Sequence, residues 1–428
     1  MEIIEQILHK FEKEKSAYVQ YELILELSKN QDKLLELIRF LFYHTDQSQS
    51  VIGRSIEFIL RVLDETHLTL FTQNIIDNIE KEDNSWFLTE ISTQFPSIIH
   101  THFEIVFEKC LSTSTRFGTF FYNLKFNPSE EFIHFLKSTI EENSSKEVQK
   151  SAFWCLLLTK DIELIWYAIK IAREKIEFSN YEMCYGEDKE IAIENALNNV
   201  GFYLENNELK NFTVKNTYYI QFPKEYLGIG SSYYSNNYPL NDLEDLSQEY
   251  QFGGTITNTE EEQLNHIITL DSILEDINIF SLKKLILAVD FNFLWFKTLD
   301  GIGLFYQHDD NGIPIMISDK SLPEEAKENP FDNTPILKTT VRLALSPKRW
   351  EHFNDNFTVN QFGGTPKWVQ SAELMICPKC AKKMQFLMQL GCNIKDEDDY
   401  TIMFGSGGSC YTFWCDTDKV SGYSWQCT

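Results

Sequence analysis

A five-residue phrase, Gln-Phe-Gly-Gly-Thr, occurs twice in the C-terminal half of this chain, at 251–255 and again at 361–365. The copies are separated by roughly the length of a small domain, about 100 residues. Leu304 and Tyr411 align with each other in two predicted strands. The distance between them along the chain is nearly the same as that between the two phrases. Self-similarity at one fixed spacing is the signature of an internal repeat. We therefore predict a tandem duplication of one β-rich unit.

The paired glycines of both copies predict tight turns or a close approach of two backbones, because glycine adopts positive φ without steric cost. A phosphate-binding loop needs further glycines, a lysine and a helix directly after it, and neither copy has these. The glycine-rich stretch at 404–409 precedes a predicted strand, so it also predicts a loop or a bulge. We expect no nucleotide site at these glycines.

Strand patterns dominate the C-terminal half. The segment Leu285–Val289 is apolar at every position, as in a central strand buried on both faces. Asn311-Gly312 separates two β-rich segments, 303–307 and 313–317. This dipeptide favours a type I′ hairpin, which requires positive φ at both of its positions. We expect His308–Gly312 to form the solvated tip of the hairpin.

The first 200 residues differ in character, since they hold two of the 11 prolines and three of the 18 glycines. Both residue types interrupt helices, so their scarcity favours a helical region. Apolar residues recur there at helical spacing in two groups: Leu34, Leu37, Ile38 and Leu41, then Ile52, Ile56, Ile59, Leu60 and Leu63. This spacing predicts amphipathic helices with one buried stripe each.

Two further helices are predicted close together in the same region. Ser144–Glu147 matches a capping box, in which a serine hydroxyl and a glutamate carboxylate satisfy free backbone amides. A second apolar helix, Ile162–Ala172, follows after almost no loop. Short helix pairs of this kind resemble HEAT-like repeats. No strict period relates the pairs, so an irregular helical bundle stays open as the alternative.

The polar, tyrosine-rich stretch 211–250 marks the junction between the two halves. We predict an α+β multidomain protein, with an all-α helical repeat or bundle over 1–205 and a duplicated β-rich domain over 206–428. The two halves of the β-rich domain are predicted at about 211–330 and 331–428. With 428 residues, 43% of them hydrophobic, the chain can bury a core in each of two or three domains.

The formal net charge of −26 limits the partners of the chain. Affinity for nucleic acid depends on lysines and arginines that displace counterions from phosphates, so no nucleic-acid partner is expected. A basic protein partner fits this charge better, and the alternative is that the acidity only maintains solubility. The acidic run 396–399 lacks the residue spacing of a calcium-binding loop and predicts a solvated loop.

Cysteines and hydropathy favour a cytoplasmic protein. Nine cysteines are an odd number, and no apolar segment follows a basic N-terminus, which argues against a secreted disulfide scaffold. The apolar runs are far shorter than the roughly 20 residues that a membrane-spanning helix needs. We expect a reducing environment and no membrane partner.

Cys377-Pro378-Lys379-Cys380 is the strongest candidate site. A CxxC turn presents two thiolates to one ion, and structural zinc takes four ligands in a closed tetrahedral shell. Cys415, at the end of a predicted strand, and Cys427, near the chain end, are predicted to complete the zinc shell. Cys410 lies five positions before Cys415 and therefore points to the opposite face of the strand.

Two alternative roles for these cysteines stay open. They are either buried or free reduced thiols, or part of a thiol oxidoreductase, since Cys-Pro-x-Cys also occurs where a helix N-terminus lowers the pKa of the first thiol. The strand-then-helix context of such enzymes is missing from the pattern. The sequence contains no Gly-x-Ser-x-Gly or His-Glu-x-x-His motif. No catalytic residue is assigned.

Five segments of the C-terminal region carry a family resemblance: 361–370, 377–380, 384–390, 411–415 and 425–427. In order and spacing they resemble the YwqG-like family of bacterial domains of unknown function. The match is best over 360–428 and weaker from 211 to 360. Residues 1–205 lie outside it.

A related pattern is Gly-Gly-x-Pro-x-Trp, followed by CxxC and a strand that ends in cysteine. It is similar to the eukaryotic programmed cell death protein two group, which escorts a basic ribosomal protein. These resemblances imply a duplicated β fold used for protein contact, without a catalytic set. Only the second half has a CxxC, so one zinc site is implied.

The favoured function is non-enzymatic recognition of a basic protein partner by a module with one structural zinc. Acidic bacterial proteins with such domains resemble toxin-neutralising immunity proteins, which extends this expectation to an immunity-type role. The rival hypothesis is an enzyme that uses Cys377, or a pocket between the two β halves, on an unknown substrate.

Overall fold

The computed structural model of the protein describes residues 23–44, 50–77, 130–142, 146–178, 188–214, 216–223, 248–299, 301–322, 333–345, 360–392, 394–402, 404–405 and 407–427, with His9, Ile98, Tyr226 and Glu324 as single residues. These residues fall into two compact units that divide between Ala196 and Leu197. The first unit is helical and the second is built on antiparallel strands. The chain is therefore an α+β protein, as predicted.

Besides the helical residues 23–27, the described helices up to residue 200 are α1 (Gln31–His44), α2 (Ser50–Val62), α3 (Glu65–Asp77), α4 (Glu130–Glu141), α5 (Lys146–Leu158), α6 (Ile162–Lys175) and α7 (Lys189–Asn199). α1 packs against α2 and α3, and α5 packs against α4 and α6. Both predicted apolar stripes, on α1 and α2, are buried. No described helix is long and apolar enough to cross a bilayer.

Asp161 explains where α6 begins. Its carboxylate accepts a hydrogen bond from the backbone N–H of Leu164 at 3.0 Å, which satisfies a free amide of the first turn. Ser144, of the capping box predicted before α5, lies outside the described residues. The HEAT-like repeat stays a prediction.

The second unit contains β1 (Phe202–Glu205), β2 (Glu208–Asn211), β3 (Thr217–Gln221), β4 (Glu249–Thr257), β5 (Gln263–Leu270), β6 (Leu285–Val289), α8 (Phe291–Leu299), β7 (Leu304–His308), β8 (Pro314–Met316), β9 (Ile336–Leu345), β10 (Gln361–Gly363), β11 (Gln385–Gly391), β12 (Ser409–Cys415) and β13 (Val420–Gln426). β1 and β2 form a separate hairpin. The other strands form one sheet in the order β6-β5-β4-β9-β3-β10-β11-β12-β13-β7-β8.

β6 is buried at all of its positions, as predicted, but it stands at one end of the strand order instead of its centre. The backbone N–H of Ile286 donates to the carbonyl of Gly312 at 3.1 Å, just before β8. This bond joins the two ends of the order, so the end strand is covered like a central one.

Alternate residues of β12 enter two different cores. Cys410 and Trp414 belong to a large core, in which Leu285, Leu287, Ala288 and Val289 of β6 also lie. Tyr411, Phe413 and Cys415 belong to a small core that includes Phe386 of β11. This is the two-residue period of a strand that is buried on both faces.

Both glycine pairs adopt the positive φ that we predict, with 74° at Gly253 and 64° at Gly363 for the first glycine of each pair. Each of these glycines lies against a neighbouring backbone. A Cβ atom would come within 2.3 Å of the Leu337 carbonyl oxygen at Gly253, and within 2.2 Å of the Asn216 carbonyl oxygen at Gly363. No side chain fits at either position.

The predicted hairpin before β8 forms, since β7 and β8 pair antiparallel. Its turn is not type I′, because only Gly312 of the dipeptide has positive φ, at 76°. The Asp309 carboxylate stabilises the turn by accepting from the backbone N–H of Asn311 at 2.9 Å. The expectation of a solvated tip is wrong for His308, which is 2% exposed.

His308 is held on both of its ring nitrogens. Nδ1 donates to the Gly312 carbonyl at 3.1 Å, because a carbonyl can only accept, and Nε2 accepts from the Ser421 hydroxyl at 2.8 Å. Burial lowers the pKa of His308 to about 4. The ring is therefore neutral in the fold at neutral pH.

Replacement of Gly363 by alanine should destabilise the protein more than the same change at Gly301. The φ angles are similar, 64° and 69°, but an added Cβ meets nothing within 4 Å at Gly301. Gly301→Ala should lose about 1–2 kcal/mol from the left-handed backbone alone. Gly363→Ala should lose at least twice as much, measured by chemical denaturation. Equal losses would contradict the close approach at Gly363.

His308 should make stability depend on pH. Its pKa is about 4 in the fold and 6.5 in the free side chain, so its stabilising effect is complete above pH 6.5 and is lost as the pH falls toward 4. His308→Gln does not titrate. We expect it to reduce the slope of unfolding free energy against pH below 6.5 by up to about 1.4 kcal/mol per unit. Denaturation at a series of pH values measures this, and an unchanged slope would overturn it.

Candidate metal centre

The CxxC turn is held by its own backbone. The N–H of Cys377 donates to the carbonyl of Lys382, and the N–H of Ala381 donates to the carbonyl of Cys377, both at 2.9 Å. Ala381 has a φ of 57°, which reverses the chain directly after Cys380. The turn thereby brings the two thiols of the CxxC to one point.

The hairpin of β12 and β13 supplies two more side chains that could bind a metal ion. β12 ends at Cys415, which lies opposite Val420 at the start of β13. The turn between them contains Asp418, whose backbone N–H donates to the Cys415 sulfur. The Asp418 carboxylate points back toward the same thiol, with Oδ2 at 3.5 Å from Sγ.

Asp416 holds this turn in place. Its Oδ1 accepts hydrogen bonds from the Ser281 hydroxyl at 2.7 Å and from the Trp414 indole Nε1 at 3.0 Å. On the other side, the N–H of His308 donates to the carbonyl of Lys419 at 2.8 Å. Contacts from two distant segments therefore position the turn.

Cys377, Cys380, Cys415 and Asp418 have donor atoms that all lie within 4.8 Å of one another. The sulfurs of Cys380 and Cys415 are 3.7 Å apart. Oδ2 of Asp418 is 3.3 Å from the Cys377 sulfur. Zn–S and Zn–O bonds of about 2.3 and 2.0 Å give tetrahedral edges of about 3.8 Å between two sulfurs and about 3.5 Å between sulfur and oxygen. The separations of 3.7, 3.5 and 3.3 Å are close to such edges, so the four residues could hold a metal ion.

The donors influence the protonation of one another. Hydrogen bonding to Asp418 raises the pKa of the Cys380 thiol, and the same contact lowers the pKa of Asp418. Burial raises the pKa of the Cys415 thiol. A divalent cation must displace the thiol protons, so metal affinity falls as the pH falls.

One lysine and a backbone N–H lie beside these candidate ligands. Lys379 lies close enough to contribute to the lowered pKa of Asp418. The backbone N–H of Lys382 donates to the Cys380 sulfur. Hydrogen bonds to metal-bound sulfur orient the ligand and balance its charge. Three thiolates and a carboxylate around a metal ion would thereby be stabilised.

Cys427, our predicted fourth ligand, is not part of this group, and Asp418 takes its place. Because β12 and β13 run antiparallel from the turn at Cys415, Cys427 lies past the far end of the ladder. Seven residues after Val420, at about 3.4 Å each, put it roughly 24 Å away. It also packs against the large core, on the other face of the sheet from Cys415.

The sequence does carry a signal for Asp418. It follows Cys415 by three positions, the same spacing that separates Cys377 from Cys380. Zinc accepts carboxylate oxygen as well as sulfur. A search for cysteines alone therefore misses this CxxD pattern. Cys410 faces the opposite core from Cys415, which confirms its predicted exclusion from the site.

Comparisons with known proteins identify one weak relative. An uncharacterized protein of Salmonella typhimurium, YpfL, is 37% identical over 71 residues, which is 17% of this chain and 16% of that protein. The match thus spans less than a fifth of the relative's length. No family model matches the chain. No solved structure matches it significantly.

Substitution of the candidate ligands should distinguish residues that bind the ion from residues that only lie near it. Protein loaded with zinc should hold about one ion per chain by mass spectrometry of metals. Cys415→Ser and Asp418→Ala should lose the ion, whereas Cys427→Ser should keep it. Asp418→Cys, which supplies a fourth thiolate, should retain zinc and bind it at least as tightly. Zinc loss in Cys427→Ser with retention in Asp418→Ala would refute this assignment.

Proposed function

We propose that this protein is a non-enzymatic adaptor that recognises a basic protein partner through a β-rich module braced by structural zinc. The observation that carries this proposal is the group of four possible ligands, Cys377, Cys380, Cys415 and Asp418, whose donor atoms lie within 4.8 Å of one another. Four protein ligands leave no position for substrate or water, which is the difference between structural and catalytic zinc.

The zinc would connect segments that are distant in the chain. The CxxC turn follows a segment without regular structure, and the other two donors belong to the β12–β13 hairpin. One ion would fix both against the small core, in which Cys377 and Cys415 are buried. A rigid surface of this kind lowers the entropy that is lost on binding a partner.

An enzyme that acts through a thiol is the alternative, and the surroundings of Cys380 and Cys415 oppose such a role for these two thiols. A nucleophilic cysteine needs a lowered pKa. Instead, burial raises the pKa of Cys415, and the Asp418 carboxylate raises that of Cys380. The metal-binding group in the described part of the chain also contains no histidine to serve as a base.

Charge and cysteine state support the partner class and the compartment. The net charge of −26 favours a basic protein and disfavours nucleic acid. In the described ranges, the cysteines form no disulfide, which suits a reducing cytoplasm. An acidic chain that captures a basic protein is also compatible with an immunity-type role against a basic toxin.

We infer further that the second unit is the duplicated YwqG-like domain. The two glycine pairs support this inference, because they share positive φ and the same steric closure by a neighbouring backbone. The strand order supports it as well. From the neighbouring strands β9 and β3, the sheet continues in one direction as β9-β4-β5-β6 and in the other as β3-β10-β11-β12, and these two runs correspond. Each glycine phrase then occupies the same place in its half.

Affinity capture tests the adaptor hypothesis. Immobilised full-length protein, loaded with zinc, is incubated with extract of the source organism at physiological ionic strength. We expect enrichment of a small set of basic proteins, and weaker retention at about 1 M salt, where the Debye length is about 3 Å. Cys415→Ser, freed of zinc, serves as the control and should retain less. The proposal fails if no protein is enriched over blank resin.

A further inference from the structure

A cleft of about 450 Å³ lies beside the metal centre, between the end of α8 and the segment that leads into the CxxC. One wall is Gly301–Gly303, in the loop after α8, and the other is Glu373–Ile376. Phe305, Ser424 and Thr298 complete it. Its volume is in the range of small ligand sites, about 300–1,000 Å³.

Met375 forms the floor and is 8% exposed. Its side chain occupies space that only glycine leaves open: a Cβ atom would lie 2.4 Å from its Cε at Gly303 and 3.0 Å from its Sδ at Gly422. The carbonyl of Met375 also accepts from the N–H of Met384 at 2.8 Å. The floor is therefore preformed and apolar.

Large apolar side chains at the rim are exposed to solvent. Ile302 is 61% exposed and Ile376 is 54% exposed, and both line the cleft. Exposed apolar side chains that meet at one concave site favour a contact surface. A ligand that covers them would remove apolar area from water, with a gain of about 25 cal/mol per Å².

Polar atoms of the cleft define what it would accept. Glu373 is exposed and carries the charge among the lining residues. A hydrogen-bond donor with positive charge at one end of an apolar stem would pair with the Glu373 carboxylate and place its stem on the apolar lining.

We propose that this cleft binds an arginine or lysine side chain of a partner protein, flanked in the partner by aliphatic residues. The aliphatic stem would lie on Met375, the cation would pair with Glu373, and the flanking residues would cover Ile302 and Ile376. Charge complementarity selects this occupant, since both the cleft and the whole chain, at −26, are negative. The inference rests on the proposed adaptor function and locates its contact.

The metal centre and the cleft share one piece of chain. Ile376 is the neighbour of Cys377, and a β-bridge joins it to Lys383 on the other side of the CxxC turn. Zinc that fixes Cys377 would therefore also fix the wall of the cleft. Loss of the ion should weaken binding without change to any group that touches the ligand.

Methyl NMR of zinc-loaded protein with 13C-labelled methionine tests the proposal. The probe is the peptide Gly-Leu-Arg-Ile-Gly, and the matched control peptide has uncharged citrulline in place of arginine. We expect the Met375 methyl signal, assigned with Met375→Leu, to shift saturably with the arginine peptide. The citrulline peptide should bind at least 10-fold more weakly.

Two variants test whether the Glu373 carboxylate is the group that recognises arginine. Glu373→Gln should abolish the preference for arginine over citrulline, while Glu397→Gln, an exposed acid outside the cleft, should keep it. Zinc content and thermal stability should match the parent in both. No shift of Met375, equal binding of the two peptides, or an unchanged preference in Glu373→Gln would overturn the proposal. Partner capture that survives Glu373→Lys would refute the cleft but leave the adaptor function standing.

Discussion

The antiparallel pairing of β12 with β13 is the constraint on which the rest of the site depends. This pairing places Cys415 next to the turn. β13 runs away from the turn, so each later residue of β13 lies farther from the CxxC. The turn itself then has to supply the next donor, and Asp418 does so. Because Asp416 anchors this turn to Trp414 and Ser281, the donor position is set before any ion binds.

The charges of the four candidate ligands also affect how the CxxC turn and the β12–β13 hairpin are held together. Three thiolates and a carboxylate repel one another unless protons or a cation lie between them. A zinc ion would relieve this repulsion and at the same time connect the CxxC turn to the β12–β13 hairpin. The segment before Cys377 forms a wall of the cleft, so the same ion would stabilise both the small core and the proposed contact surface.

The glycine pairs show how local sequence can predict geometry. Two adjacent glycines predict positive φ, and Gly253 and Gly363 have it. The reason lies in the neighbouring strands, whose backbones leave no space for a Cβ atom. A resemblance between two stretches of sequence thus corresponds to one steric arrangement that occurs twice in the sheet.

Sequence alone determined the α+β character, the buried stripes of α1 and α2 and the glycine turns, because these depend on short-range periodicity and spacing; residue type alone pointed to three of the four candidate ligands. Tertiary structure decided the fourth donor and the place of β6. Cys427 was a reasonable ligand by composition, but strand direction and the alternation of faces put it in the large core. Which residues meet across a sheet depends on pairing between distant strands, and residue spacing along the chain does not contain that information.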